Sequence, residues 1–183
     1  MTIGESNNYE YSSKFPLARL NFSDKEKFGS SAVIDLTERL YKYLKSLKDE
    51  MNRITNVKAR MTKYDMHKTS EDFKLLSEMA MHYARSLTKT KYDLYTVDCW
   101  GAVYGKGDWT VEHNHVPHFW SWVYYVRASE GCSPIVFTEA NLTIQPKDYD
   151  LIIFPSWIRH EVPKSESSGK RIVIAGNINT RHS

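Results

Sequence analysis

A chain of 183 residues is long enough to bury a full-sized core without disulfide or metal staples, and short enough to suit one domain, residues 1–183. Its 25 Lys and Arg against 22 Asp and Glu are spread along the sequence, so the small basic excess does not argue for a nucleic-acid partner. With two cysteines (Cys99 and Cys132), an N-terminal "MTIGESNNYEYSS" that is neither basic nor apolar, and no apolar run near about eighteen residues, the chain reads as a soluble cytoplasmic protein without a disulfide framework or membrane span.

Residues 1–30 are polar apart from a patch at Phe15 to Leu20, which predicts an irregular arm leading into an edge strand. Residues 31–90 read as helical support. Leu36, Leu40, Leu44, Leu47, Met51 and Ile54 recur every three or four positions and predict an amphipathic helix from Ala32 to Ile54. Phe73, Leu76, Met79, Ala80, Tyr83 and Leu87 predict a second helix from Glu71 to Leu87, with Thr69 or Ser70 supplying an N-cap oxygen. From residue 91 onward Tyr, Trp, Val, Ile, Thr and Phe dominate in short runs broken by turn residues, which is strand composition. The runs Leu94–Val103, Thr110–His115, Phe119–Val126, Ile135–Thr138, Leu142–Ile144, Asp150–Phe154 and Arg171–Asn177 are the candidate strands. Two helices followed by seven strands predict an α+β, mainly β fold: an antiparallel sandwich or jelly roll with the two N-terminal helices packed on one face.

The segment "EHNHVPHFWSWVYYV", residues 112–126, holds three of the seven histidines within six positions. On a strand, His113 and His115 point to the same side, and neutral imidazoles so placed suit a divalent transition metal. A third imidazole comes from "DLIIFPSWIRHEVPKSESSGKRIVIAGN", where His160 falls in a turn ahead of the strand opened by Arg171. A sheet folded on itself brings that distant histidine to the pair, and three protein ligands leave room on the ion for reactants. His118 follows Val116 and Pro117 and faces either the same pocket or water. Cys99, Cys132, His67, His82 and His182 have no neighbours at metal spacing.

These two segments resemble the iron(II)- and 2-oxoglutarate-dependent oxygenases, and within them a branch of bacteria and phages with His-x-His, a Ser-x-Val-Tyr-Tyr strand, Phe-Pro-Ser-x-x-x-His-x-Val and a later Arg. The likeness runs from Asp98 to Asn179 and is weaker over "NVKARMTKYDMHKTSEDFKLL". It implies a double-stranded β-helix, iron(II) held by His113, His115 and His160, 2-oxoglutarate as co-substrate, and dioxygen. It also implies that Arg171 pairs with the far carboxylate of 2-oxoglutarate, and, by similarity to prolyl 4-hydroxylases, that Ser121 and Tyr125 donate to that carboxylate. His118, Trp100, Tyr104 and Asn177 are candidate pocket residues. If phage-encoded, the protein acts in the host cytoplasm. The wider superfamily carries Asp or Glu where this chain has His115, which leaves the centre one unit more positive. Two alternatives stay open there: another metal, or a centre held by His113 and His160 alone. Ile172-Val173 after Arg171 is a lesser departure, a small hydroxyl residue being common two positions on.

The reaction implied is hydroxylation of a small-molecule or peptidyl substrate, coupled to decarboxylation of 2-oxoglutarate to succinate. A cupin-like enzyme with three histidines and no 2-oxoglutarate, a dioxygenase or isomerase, is the first alternative, and Arg171 separates the two. A jelly-roll binding or structural protein is the second. No Gly-x-Ser-x-Gly elbow is present, and "YGKGDW" is a turn rather than a phosphate cradle.

Overall fold

The longest apolar runs of the sequence become the central strands of a sheet that is covered on both faces. A computed structural model of the chain describes residues 4–6, 9–11, 14–23, 31–48, 55–88 and 92–181. The strands are β1 (Gly4–Ser6), β2 (Tyr9–Tyr11), β3 (Ala18–Asn21), β4 (Val57–Lys58), β5 (Arg60–Met61), β6 (Asp93–Tyr104), β7 (Trp109–His113), β8 (Trp120–Ala128), β9 (Ile135–Phe137), β10 (Leu142–Ile144), β11 (Asp150–Pro155), β12 (His160–Val162) and β13 (Arg171–Arg181). The helices are α1 (Ser31–Lys45), α2 (Met66–Thr69) and α3 (Glu71–Leu87). Strands pair antiparallel into an eight-stranded sheet, β1-β2-β3-β11-β8-β13-β6-β5, and a five-stranded sheet, β10-β9-β12-β7-β4.

Every residue of β11 is buried, as is β8 from Trp120 to Val126. Strands buried on both faces read as unbroken apolar runs rather than alternating ones. One face of the larger sheet, through Tyr124, Val126, Leu151, Ile153, Ile172 and Ile174, packs against Leu36, Leu40, Leu44, Phe73, Leu76 and Ala80 of α1 and α3. The opposite face, through Ala102, Tyr104, Val123, Tyr125, Ile152, Phe154 and Val173, packs against Val57, Ile135, Phe137, Leu142, Ile144 and Val162 of the smaller sheet. The two sheets therefore form the double-stranded β-helix, with the helices outside it.

The helices follow the apolar spacing, with two differences. α1 ends at Lys45, where the Ser46 N–H bonds to the carbonyls of Lys42 and Tyr43 and tightens the last turn. The predicted extension to Ile54 is thus shortened: Leu47 still packs on the core, while Met51 and Ile54 lie outside the described residues. Ser70 occupies the N-cap of α3 with extended backbone, but its hydroxyl makes no capping bond, and Thr69 is inside the unforeseen turn of α2. Gly101 lets α1 approach β6, since a Cβ there would lie 2.3 Å from Leu44 Cδ2.

The predicted arm contributes strands instead. β3 pairs with β2 on one side and β11 on the other, so it is not an edge. Arg19 locks the β3–β11 pairing by donating two hydrogen bonds, 3.1 and 2.7 Å, to the buried carboxylate of Asp150. β4 and β5, inside the segment read as helical support, join the smaller and larger sheets respectively. Their brevity hides them from a pattern search that needs four or more alternating residues.

Candidate active site

His113 closes β7, and the register of β7 with β12 sets His160 directly opposite it. His160 is therefore on a strand, not in the predicted turn, and one ladder of hydrogen bonds fixes the pair across 47 positions of sequence. β7 ends at His113, so pleat alternation does not carry the chain to His115. A hydrogen bond from the His115 N–H to the Ser156 carbonyl, 2.7 Å, holds it there instead. Ring centroids are 4.4 Å apart for His113 and His160, 4.7 Å for His113 and His115, and 5.1 Å for His115 and His160. One nitrogen from each ring lies within 4.8 Å of the other two, so His115 is not swung away from the pair.

Two of the three rings are held by their Nδ1 atoms. His113 Nδ1–H donates to the Val111 carbonyl at 2.7 Å, and His160 Nδ1–H to the Ile158 carbonyl at 3.1 Å, which leaves each Nε2 lone pair free. Phe154 packs edge-on against His160 at 4.8 Å. Burial, and then the neighbouring His113 and His115, hold the His160 imidazolium well below its usual range. His113 is lowered by burial, with the Val111 carbonyl partly opposing, and burial beside His113 and His118 pulls His115 down to about 3. All three are neutral imidazoles at neutral pH, the form that binds metal. The donor set fits a divalent transition metal.

Beyond the histidines lies an inner cavity lined also by Trp100, Tyr104, Thr110, Arg171 and Val173. Arg171 is 3% exposed, and its guanidinium stands 4.6 Å from the Tyr104 ring centroid and 5.1 Å from that of Tyr125. One terminal nitrogen donates to the Tyr125 hydroxyl at 3.2 Å, whereas Nε and Nη1 are buried without a partner among the described residues. Among the described residues no carboxylate pairs with it. A buried cation with two unused donors fits a dicarboxylate ligand, because leaving such groups unpaired is costly.

The register of β13 explains where the remaining candidates fall. Across to β6, Arg171 stands opposite Tyr104, Val173 opposite Ala102, Ala175 opposite Trp100, and Asn177 opposite Asp98. Across to β8, Val173 stands opposite Tyr125, Ala175 opposite Val123, and Asn177 opposite Ser121. Tyr125 and Tyr104 thus meet Arg171, but Ser121 does not. It sits at the Asn177 end, about 20 Å of strand from Arg171, with its hydroxyl bonded to Ser156 at 2.8 Å and Asn177 at 2.7 Å. Ser121 and Tyr125 share a face of β8 but stand four positions apart, Tyr125 opposite Val173 and Ser121 opposite Asn177, so Ser121 does not join Tyr125 at the carboxylate that Arg171 would hold.

An outer cleft of about 260 Å³ opens on the other side of the histidines, lined by Asn56, Tyr64, Asp98, Asn114, His118 and Asn177. Val57, Trp100, His113 and His115 line both spaces, so these two imidazoles stand at their boundary, while His160 faces the inner cavity. Trp100 lies 6.1 Å from His115. Of the other aromatics near these motifs in the sequence, Tyr124 faces the helices, Trp120 donates to Thr88, and Trp109 and Trp157 are exposed. Asp98 and Thr110 were not singled out from the sequence. Thr110 orients Tyr104 through a 2.7 Å hydroxyl contact, and Asp98 had one readable signal, a lone acid inside the strand run "YTVDCW".

Comparison with solved structures places the fold. The viral collagen prolyl hydroxylase of Paramecium Bursaria Chlorella virus-1 aligns with a TM-score of 0.64 at 16% identity, covering 88% of this chain and 94% of that one. HygX from Streptomyces hygroscopicus, with nickel and 2-oxoglutarate bound, aligns at 0.66 and 11% identity, covering 91% and 83%. A Pseudomonas putida prolyl-4-hydroxylase aligns at 0.60 and 14%, covering 93% and 95%. No curated protein matches the sequence. Residues 136–177, which contain His160 and Arg171, match the family described as "Putative 2OG-Fe(II) oxygenase".

Proposed function

We propose that this protein hydroxylates an organic substrate at a metal centre held by His113, His115 and His160, with 2-oxoglutarate bound between that centre and Arg171. The superfamily's cofactors are iron(II), 2-oxoglutarate and dioxygen. The observation that carries the reading is that three neutral imidazoles and one buried guanidinium, with two donors unused among the described residues, face the same cavity. When bound, iron(II) would supply the redox chemistry in which dioxygen and 2-oxoglutarate become succinate, carbon dioxide and one oxygen atom inserted into a C–H bond.

The residues contribute binding, orientation and exclusion of water. Arg171 receives the far carboxylate of the co-substrate through Nε and Nη1, and the Tyr125 hydroxyl, already in contact with the guanidinium, adds a donor beside it. Tyr104 lies over the guanidinium and is held by Thr110, so Arg171 is fixed before ligand arrives. Val57, Ala102, Val123, Ile135, Phe154 and Val173 make the rest of the inner wall apolar, which keeps the charge pairing strong. With His115 in place of a carboxylate, the protein ligands bring no negative charge of their own, and this favours a dianionic co-substrate.

Anaerobic reconstitution with iron(II) and 2-oxoglutarate tests the proposal. A weak visible charge-transfer band should form on mixing, and succinate should accumulate on admitting air. A protein that binds the metal yet gives neither band nor succinate, with 2-oxoglutarate absent from titration, would return the centre to the three-histidine enzyme that uses no co-substrate.

A further inference from the structure

The two sides of the histidine centre are charged in opposite sense. Arg171 is the fixed cation of the inner cavity, and Asp98 is the one acidic residue among the described residues lining either space. Both are inward residues of the β6–β13 pairing, Arg171 opposite Tyr104 at one end and Asp98 opposite Asn177 at the other. We propose that the outer cleft takes a substrate bearing a protonated amine, which Asp98 receives beside the rings of Tyr64 and Trp100. This rests on the reading that oxidation occurs at the histidine centre, and it names the class of molecule oxidised there.

The carboxylate is built into place. Asp98 Oδ1 accepts the Asn177 backbone N–H at 2.9 Å, and Oδ2 accepts the Asn177 side-chain amide at 3.2 Å. Asn177 Oδ1 in turn accepts from Ser121, whose hydroxyl meets that of Ser156. These donors to Asp98 are neutral, and a carboxylate has about four lone-pair positions, so half its accepting capacity remains. His118 and His67 lie near enough to favour the charged form, but neither appears among its hydrogen-bond donors. Burial nonetheless pushes the Asp98 carboxyl above its ordinary range, the behaviour of an acid short of a counter-ion.

The aromatic surroundings suit the same ligand. Tyr64 and Trp100 form a corner with ring centroids 5.1 Å apart at 61°, and Tyr64 is 45% exposed at the lip. A hydrogen bond of 2.8 Å from the Cys99 N–H to the Tyr64 carbonyl ties that lip to β6 beside Asp98. Ammonium groups are attracted to such ring faces as well as to the carboxylate. Asp98 does not belong to the cluster of ligand atoms formed by the histidines. It stands one pleat, about 7 Å along β6, from Trp100, whose ring lies 6.1 Å from His115, so the oxidised carbon is separated from the amine by several bonds. A substrate carboxylate would meet Asp98 and be repelled, which keeps a dicarboxylate from entering the wrong way round.

The test uses three probes with one skeleton: phenethylamine, phenethyl alcohol and hydrocinnamate, titrated by NMR into the nickel- and 2-oxoglutarate-loaded protein. Phenethylamine should bind about tenfold or more tightly than the alcohol, the effect of one charge-assisted hydrogen bond, and hydrocinnamate should not bind. Added sodium chloride should narrow the preference, and Asp98→Asn should abolish it. Tyr64→Leu, at an exposed position that does not threaten folding, should weaken phenethylamine more than the alcohol. Equal binding of amine and alcohol by the wild type, or an amine preference that survives in Asp98→Asn, overturns the proposal. A 2-oxoglutarate titration of the nickel-loaded wild type, with the amine and alcohol titrations repeated before 2-oxoglutarate is added, keeps the two readings apart, since absence of co-substrate binding beside an intact amine preference sinks only the oxygenase reading.

Discussion

Replacing Arg171 with Met should separate a ligand-binding arginine from a structural one by the sign of its effect on stability. Among the described residues of the ligand-free protein, Arg171 makes one hydrogen bond, to Tyr125, and leaves Nε and Nη1 buried without partners. Each unpaired buried donor costs about 1–3 kcal/mol, while each stacked aromatic returns about 0.5–2 kcal/mol. The two roughly cancel, so Arg171→Met should melt near or above the wild type when no ligand is present, as expected on removing an uncompensated buried charge. With 2-oxoglutarate the balance changes. Two charge-assisted hydrogen bonds at about 1.5–3 kcal/mol each amount to about 3–6 kcal/mol, or an affinity loss of about a hundredfold to ten-thousandfold. Calorimetric titration of 2-oxoglutarate into nickel-loaded protein reads that loss, and melting with and without 2-oxoglutarate reads the stability. The reasoning is refuted if the variant binds 2-oxoglutarate as the wild type does while its ligand-free form is destabilised by more than about 2 kcal/mol, a large single-site effect.

His160→Ala should fold but lose stoichiometric nickel or iron, measured by elemental analysis after dialysis, because one imidazole is gone from a set of three; metal retained at wild-type stoichiometry would count against the centre. Asp150→Ala removes the buried carboxylate that accepts from Arg19, Asn21 and the Lys147 N–H and should cost about 3–5 kcal/mol in urea unfolding, with unchanged metal binding. Gly101→Ala places a methyl on Leu44 and should cost about 1–3 kcal/mol. Adding Leu44→Ala should recover part of that loss in a double-mutant cycle, and strict additivity would show that the contact is not the cause.

Much of the larger sheet was legible because its central strands are long and apolar, and α3 was legible because its face repeats over seventeen residues from Glu71 to Leu87. The histidines were legible as ligand types, and the likeness to known oxygenases supplied Arg171 and Tyr125 with roles. Local sequence determines such things: side-chain chemistry, periodicity, and the points at which Gly and Pro interrupt them. It does not determine register. Only the tertiary pairing sets His160 against His113, hangs His115 on the Ser156 carbonyl, and carries Ser121 to the far end of the sheet from Arg171. The same pairing brings Asp98 to face Asn177 at the cleft, although nothing near residue 98 in the sequence refers to residue 177. The reason is physical: cross-strand neighbours are chosen by hydrogen-bond ladders between distant segments, and a shift of one residue turns every side chain to the opposite face.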